Sequence, residues 1–117
     1  MLTQTFKTDD GFIKFKDVIS AERYEFTELE LDSFWDKATN WISIVEIRVN
    51  EKFKNKGVKL LKQFINTILN DTGIILNAVP LDADILFIDL QKWYIKHGFK
   101  QISEDNLSLY LIKNANT

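Results

Sequence analysis

Apolar positions along this chain change their period several times. In residues 11–19, 24–34 and 41–49, β-branched and aromatic side chains roughly alternate with polar ones, and turn-type residues separate the runs. Alternation of this kind predicts three half-buried strands in an antiparallel meander. Between 58 and 69 the spacing becomes helical. Val58, Leu60, Leu61, Phe64, Ile65, Ile68 and Leu69 follow i, i+3, i+4, i+7 and predict a helix with one buried stripe, stopped by Asn70-Asp71-Thr72-Gly73. The mostly apolar run 74–79, closed by Pro80, suits a strand inside a sheet. Helical spacing returns over 84–97, with Leu86, Leu90, Trp93, Tyr94 and His97 along one side. Asp82 and Asp84 are placed to turn and cap the chain before it, and Gly98 to end it. Residues 107–112 alternate again. The predicted order is β-β-β-α-β-α-β, with a further short strand near 99–102 or before Gly11, which makes an α/β domain with a mixed sheet.

Length narrows the picture to one domain, because 117 residues divided in two would leave neither half enough apolar area to fold alone. A 45% hydrophobic and 27% charged composition is that of a globular chain. There is no apolar run long enough to span a bilayer, and residues 1–5 do not resemble an export signal, so a cytoplasmic setting without membrane attachment is expected. With no cysteine, disulfides, thiolate metal sites and an acyl-cysteine intermediate are excluded. One histidine and scattered carboxylates supply no metal cluster, and His97 reads as a packing or capping residue.

The net charge of −2 conceals two local fields. Lys52, Lys54, Lys56, Lys59 and Lys62 crowd one short segment, while Glu22, Glu25, Glu28, Glu30, Asp32 and Asp36 crowd another. The lysines stand where a strand runs directly into a helix. There the first helical N–H groups lack intrahelical partners and, with the helix dipole, form an anion site that a glycine lets phosphate approach. Taken alone, a lysine run is as readily a solvated face. The concentration of cations at one junction suits the phosphates of a nucleotide cofactor as well as a polymer backbone, and no nucleic-acid partner is expected.

Lys54-Asn55-Lys56-Gly57-Val58-Lys59 resembles the acetyl-CoA loop of the GNAT superfamily of N-acyltransferases. Lys54 stands for the usual arginine or glutamine, and Lys59 for a small residue. Downstream, Trp93-Tyr94-Ile95-Lys96-His97-Gly98-Phe99 resembles the later aromatic-Tyr…Gly-Phe segment. Leu76-Asn77-Ala78-Val79-Pro80-Leu81-Asp82 is similar to the fifth strand and turn of a compact subgroup that includes small phage-encoded members. The resemblance spans residues 41–113. It implies a GNAT-like, mostly antiparallel central sheet, here without the two helices that usually precede the second strand, since no helical period of adequate length precedes Trp41.

The resemblance also implies acetyl-CoA as co-substrate and a primary amine as acceptor, the amine attacking the thioester directly. Lys54, Asn55, Lys56, Gly57, Val58 and Lys59 would hold the pyrophosphate. Backbone groups of Ile47 and Val49 would pair with the pantetheine arm. Tyr94 would protonate the departing thiolate, or else is a core aromatic with its hydroxyl at the edge. The family's strand glutamate is replaced by Ser43, which leaves Glu46 as the strand's only acid. Alternation puts Val45, Ile47 and Val49 on one face and Glu46 and Arg48 on the other, so Glu46 is either the general base or the partner of a neighbouring charge. Trp35, Trp41 and Trp93 read as core or rim residues. If the carboxylates of 22–36 border the cleft they favour a cationic acceptor; the plainer reading is a solvated edge. A sheet face left uncovered by the missing helices predicts a homodimer. The competing function is a GNAT scaffold that has lost activity and serves as a binding module.

Overall fold

The computed structural model describes residues 3–26, 32–49, 56–77, 87–102 and 108–113. Six strands form one sheet: β1 (Gln4–Thr8), β2 (Gly11–Asp17), β3 (Asn40–Val49), β4 (Thr72–Asn77), β5 (Lys100–Gln101) and β6 (Ser108–Ile112). Their spatial order is β1-β2-β3-β4-β6-β5. Every neighbouring pair is antiparallel except β3 and β4, which are parallel and joined through a helix. The α/β class and the mixed sheet expected from sequence are present. One further short strand is expected, near 99–102 or before Gly11; the sheet has a strand at each place, β5 and β1.

Of the strand expected over 24–34, the described residues, 24–26 and 32–34, form none. Over 24–34 the chain instead forms a 3-10 helix, Ser20–Glu25, and after residues outside those described a single helical turn, α1 (Asp32–Trp35). Phe26, Phe34 and Trp35 are all buried there. Adjacent residues such as Phe34 and Trp35 point to opposite faces of a strand, so both can reach the same core only on a helical turn. Tertiary burial thus overrode alternation, and the meander's third strand is supplied by β1 before β2.

The sheet separates two apolar layers. On the first face, α2 (Lys56–Thr67) and α3 (Phe87–Lys96) cover Ile13, Ile42, Ile44, Ile74, Leu76 and Leu109. Leu60, Leu61 and Phe64 carry the buried stripe of α2, each worth roughly 1.5–3 kcal/mol of burial. Phe64 meets the rings of Phe6 and Phe15 from β1 and β2 at 5.7 and 4.9 Å. Leu69 is 77% exposed because the helix has already ended at Thr67, and Lys113 Nζ donates to the Ile68 carbonyl just beyond that end at 2.7 Å. On the second face, Phe26, Phe34, Trp35, Trp41 and Ile75 form an aromatic layer. Phe34 stacks on Trp41 at 5.2 Å, and the Trp41 indole N–H donates to the Trp35 carbonyl at 2.7 Å, so its buried polar atom is satisfied. β4 is buried on both faces, Ile74 and Leu76 to one and Ile75 to the other, which is why its sequence does not alternate.

The stop of α3 accounts for much of the segment 93–99. Gly98 has φ 102°, its N–H donates to the Ile95 carbonyl at 3.1 Å, and Phe99 N–H donates to the Tyr94 carbonyl at 3.1 Å. These two bonds are a Schellman cap, and its usual apolar contact is supplied by the rings of Tyr94 and Phe99, 5.4 Å apart. At the other stop Asp71, not a glycine, takes the left-handed conformation, with φ 65°.

The same substitution at two glycines should separate these environments. A Cβ built on Gly73 falls 2.4 Å from Cε3 of the Trp41 ring, whereas one on Gly57 falls 3.5 Å from Trp93, an ordinary contact. Gly73→Ala should cost about 1–3 kcal/mol and lower the melting temperature by roughly 5 °C or more, while Gly57→Ala should leave it unchanged or slightly raised. Thermal unfolding followed by circular dichroism checks both.

Candidate functional site

The parallel pair at the centre of the sheet does not stay paired. Its register runs from Asn40↔Thr72 to Ser43↔Ile75 and stops, although β3 continues to Val49 and β4 to Asn77. On its other edge β3 remains paired with β2 up to Gly11↔Val49. Among the described residues, the backbone of Ile44 to Val49 therefore has an edge without a strand partner where β3 and β4 part.

A β-bulge lies at this point. Phe15 pairs with Ile44 and Lys14 with Glu46, so Val45 is the unmatched extra residue. It shifts the parity of the strand. Before it, Ile42 and Ile44 face the first layer; after it, Ile47 and Val49 do, and Val45 itself is 51% exposed. The expected grouping of Val45 with Ile47 and Val49 is thereby corrected, while Glu46 and Arg48 do share the opposite face. A bulge also bends and twists its strand, which is the local reason that β3 leaves β4.

Several expected site residues converge here. Ile47, Val49, Trp93 and Tyr94 belong to one packed cluster. Gly57, in the first turn of α2, sits against Val49 and Trp93, a built Cβ reaching Val49 Cγ1 at 3.9 Å. The start of α2, the unpaired edge of β3 and the aromatic pair of α3 thus lie together on the first face. Lys56 begins α2 and Val58 is half-buried behind it, while Lys54 and Asn55 lie outside the described residues. Lys59 is turned outward, 63% exposed, with Nζ 3.3 Å from Asp10 Oδ2 in the β1–β2 turn, so it does not fill the space beside Gly57. That turn is pressed onto β3, since a Cβ on Gly11 would lie 2.0 Å from the Arg48 carbonyl oxygen.

Tyr94 is 7% exposed, and burial pushes its phenol up to about 12. It is neutral across the physiological range and available as a donor. Glu46 accepts a hydrogen bond from Arg48 Nε at 2.7 Å and lies 3.8 Å from Lys14 Nζ. The Arg48 bond above all holds its carboxyl below the usual range, which makes it a weaker base. His97 packs edge-on against Trp93 at 5.0 Å just past the end of α3; partial burial first, then the charges of Lys96 and Lys62, lowers its pKa and keeps it neutral at pH 7.

On the second face, the row where the strands part carries Ser43, 2% exposed, with a buried hydroxyl that has no hydrogen-bond partner among the described residues. Nearby on that face Ser108 Oγ donates to Asn77 Oδ1 at 2.5 Å. Nothing local in the sequence signals the Asn77–Ser108 pair, whose partners are 31 residues apart. Of the acidic stretch, the described side chains of Glu22 and Asp36 lie away from this site. Glu22 is bound to Lys16 at 2.9 Å, and Asp36 lines a polar cavity of about 410 Å³ with Asp17, Arg23 and Asn40 at the beginning of β3, away from the bulge; the members at 28 and 30 lie outside the described residues, as do Asp82 and Asp84. Among the described residues no cluster of metal-ligating side chains occurs, and no helix is long and apolar enough to cross a membrane.

No protein-family profile and no curated protein matches the sequence. The fold is similar to that of the crystal structure of the anti-CRISPR protein AcrVA5, with a TM-score of 0.61 at 16% identity, covering 95% of this chain and 99% of that chain.

Proposed function

We propose that this chain is an acetyl-CoA-dependent N-acetyltransferase with a GNAT-type sheet, transferring the acetyl group to a primary amine. The observation that carries the reading is the parting of β3 and β4 after Ser43↔Ile75, beside the first turn of α2 and on the same side as Tyr94. The residues present fit the co-substrate. An unpaired strand edge over Ile44 to Val49 offers N–H and C=O groups to an extended arm bearing amides, and Ile47 and Val49 are central to it. With no side chain at Gly57, pyrophosphate would approach the start of α2, with Lys54, Asn55, Lys56, Val58 and Lys59 as its surroundings in sequence.

In the reaction the amine nitrogen forms a bond to the thioester carbonyl carbon, the C–S bond breaks, and the ammonium proton leaves to solvent. Tyr94 donates a hydrogen bond to the departing sulfur. Complete transfer from a phenol at about 12 to a thiolate whose conjugate acid is near ~8.5 is uphill by roughly 5 kcal/mol, so the tyrosine remains the proton's owner until solvent protonates the thiolate. Glu46, held by Arg48 and Lys14, adds charge near the strand but little basicity. The same two facts favour a second reading, in which the scaffold binds without turning over.

Calorimetric titration with acetyl-CoA and with CoA tests the first reading. Micromolar binding is expected, weakened at least tenfold in Gly57→Glu, which places a carboxylate at the start of α2; no binding to the unmodified protein overturns it. For the transfer step, Tyr94→Phe should lower turnover at least tenfold while acetyl-CoA affinity holds. Binding without turnover on any amine selects the second reading.

A further inference from the structure

Among the described residues, the aromatic layer of the second face packs on β3, β4 and β6 and takes no side chain from β1 or β2. Phe6 on β1, and Ile13 and Phe15 on β2, point to the first face and pack with Phe64. Their alternates Lys7, Phe12, Lys14 and Lys16 therefore point to the second, together with Glu46 and Arg48 beyond the bulge. Strand register sets them in rows: Lys7, Phe12 and Arg48 across one, Thr5, Lys14 and Glu46 across the next. Lys7 is exposed, and Lys14 and Arg48 keep 45% and 49% of their side-chain surface. Phe12, half-buried, belongs to neither apolar layer and has Lys14 Nζ 5.5 Å from its ring centroid. Among the described side chains, the cations Lys7, Lys14 and Arg48 thus stand around one carboxylate, Glu46, while Lys16 is paired with Glu22, on a chain whose net charge is −2.

We propose that this open face of β1, β2 and β3 docks an acidic protein segment. A local excess of cations around a single ring matches carboxylate side chains spaced along an extended peptide, with Phe12 as the apolar contact. A nucleic-acid strand fits less well, because Glu46 interrupts the cations where a continuous phosphate backbone would run, and one ring cannot stack successive bases. The face borders the parted strands on the side opposite Tyr94 and the start of α2. Resting on the transferase reading, the docked segment would present its lysine from there, so the acceptor class is a lysine in acidic surroundings instead of a polyamine.

Fluorescence anisotropy on the full chain tests the docking without any co-substrate. The probes are a labelled peptide of aspartates and glutamates around one lysine, the same length with serines replacing the acids, the same length with lysines replacing them, and a single-stranded oligonucleotide. The acidic peptide should bind more tightly than the other three and weaken as salt rises. It should lose at least fivefold in Lys7→Glu/Lys14→Glu, whereas Lys62→Glu/Lys92→Glu, the same charge change on the helices, should cost less than twofold. No binding of the acidic peptide, equal binding of the basic peptide, tighter binding of the oligonucleotide, or equal losses in the two double variants each overturns the proposal. Failure of the co-substrate titration leaves this result readable, and failure here leaves that titration standing.

Discussion

The bulge at Val45 is the constraint on which the site depends. Without it, β3 would continue in register between β2 and β4, and Ile47 and Val49 would face the aromatic layer instead of α2 and α3. One inserted residue both restores the apolar parity toward the first face and bends the strand away from β4, leaving backbone groups with an edge of their own. An edge of this kind leaves backbone N–H and C=O groups available to an extended partner. The co-substrate reading supplies that partner. The hydroxyl of Ser43, unpaired among the described residues and at the last row before the strands part, belongs to the same region of incomplete polar satisfaction.

The rest of the sheet holds that region still. Phe64 ties α2 to β1 and β2, Gly57 brings the helix start against Val49 and Trp93, and the Schellman cap of α3 fixes Tyr94 and Phe99 against each other. The far end of β3 is anchored by Trp41, held by Phe34 and the Trp35 carbonyl and pressed on Gly73. A rigid paired end and an open end on the same strand suit a site that binds an extended ligand. The chemistry of Tyr94 and Glu46 is set by surroundings: burial makes one a lasting donor, and a guanidinium makes the other a poor base.

Helical periodicity was the most legible part of the chain. The stripe of Leu60, Leu61 and Phe64 and the Gly98 stop are local in origin, and both stand where the spacing put them. At the two described ends of the strand expected over 24–34, Phe26, Phe34 and Trp35 instead obey a distant core formed by Trp41, Ile75 and Tyr110. Phe12, Lys14 and Lys16 were legible as alternates to Ile13 and Phe15, but nothing local said whether a helix would cover them.

By itself the sequence determined the α/β class, the two long helices, the doubly buried β4 and a glycine at the start of α2, because periodicity, capping and turn chemistry act over a few residues. Only the tertiary structure decided the bulge at Val45, the pairing of Glu46 with Arg48 and Lys14, the outward turn of Lys59 to Asp10, and which sheet face stays open. Those features depend on strand register and on contacts between residues far apart in the chain, and the energy that chooses among registers comes from burial summed over the whole sheet.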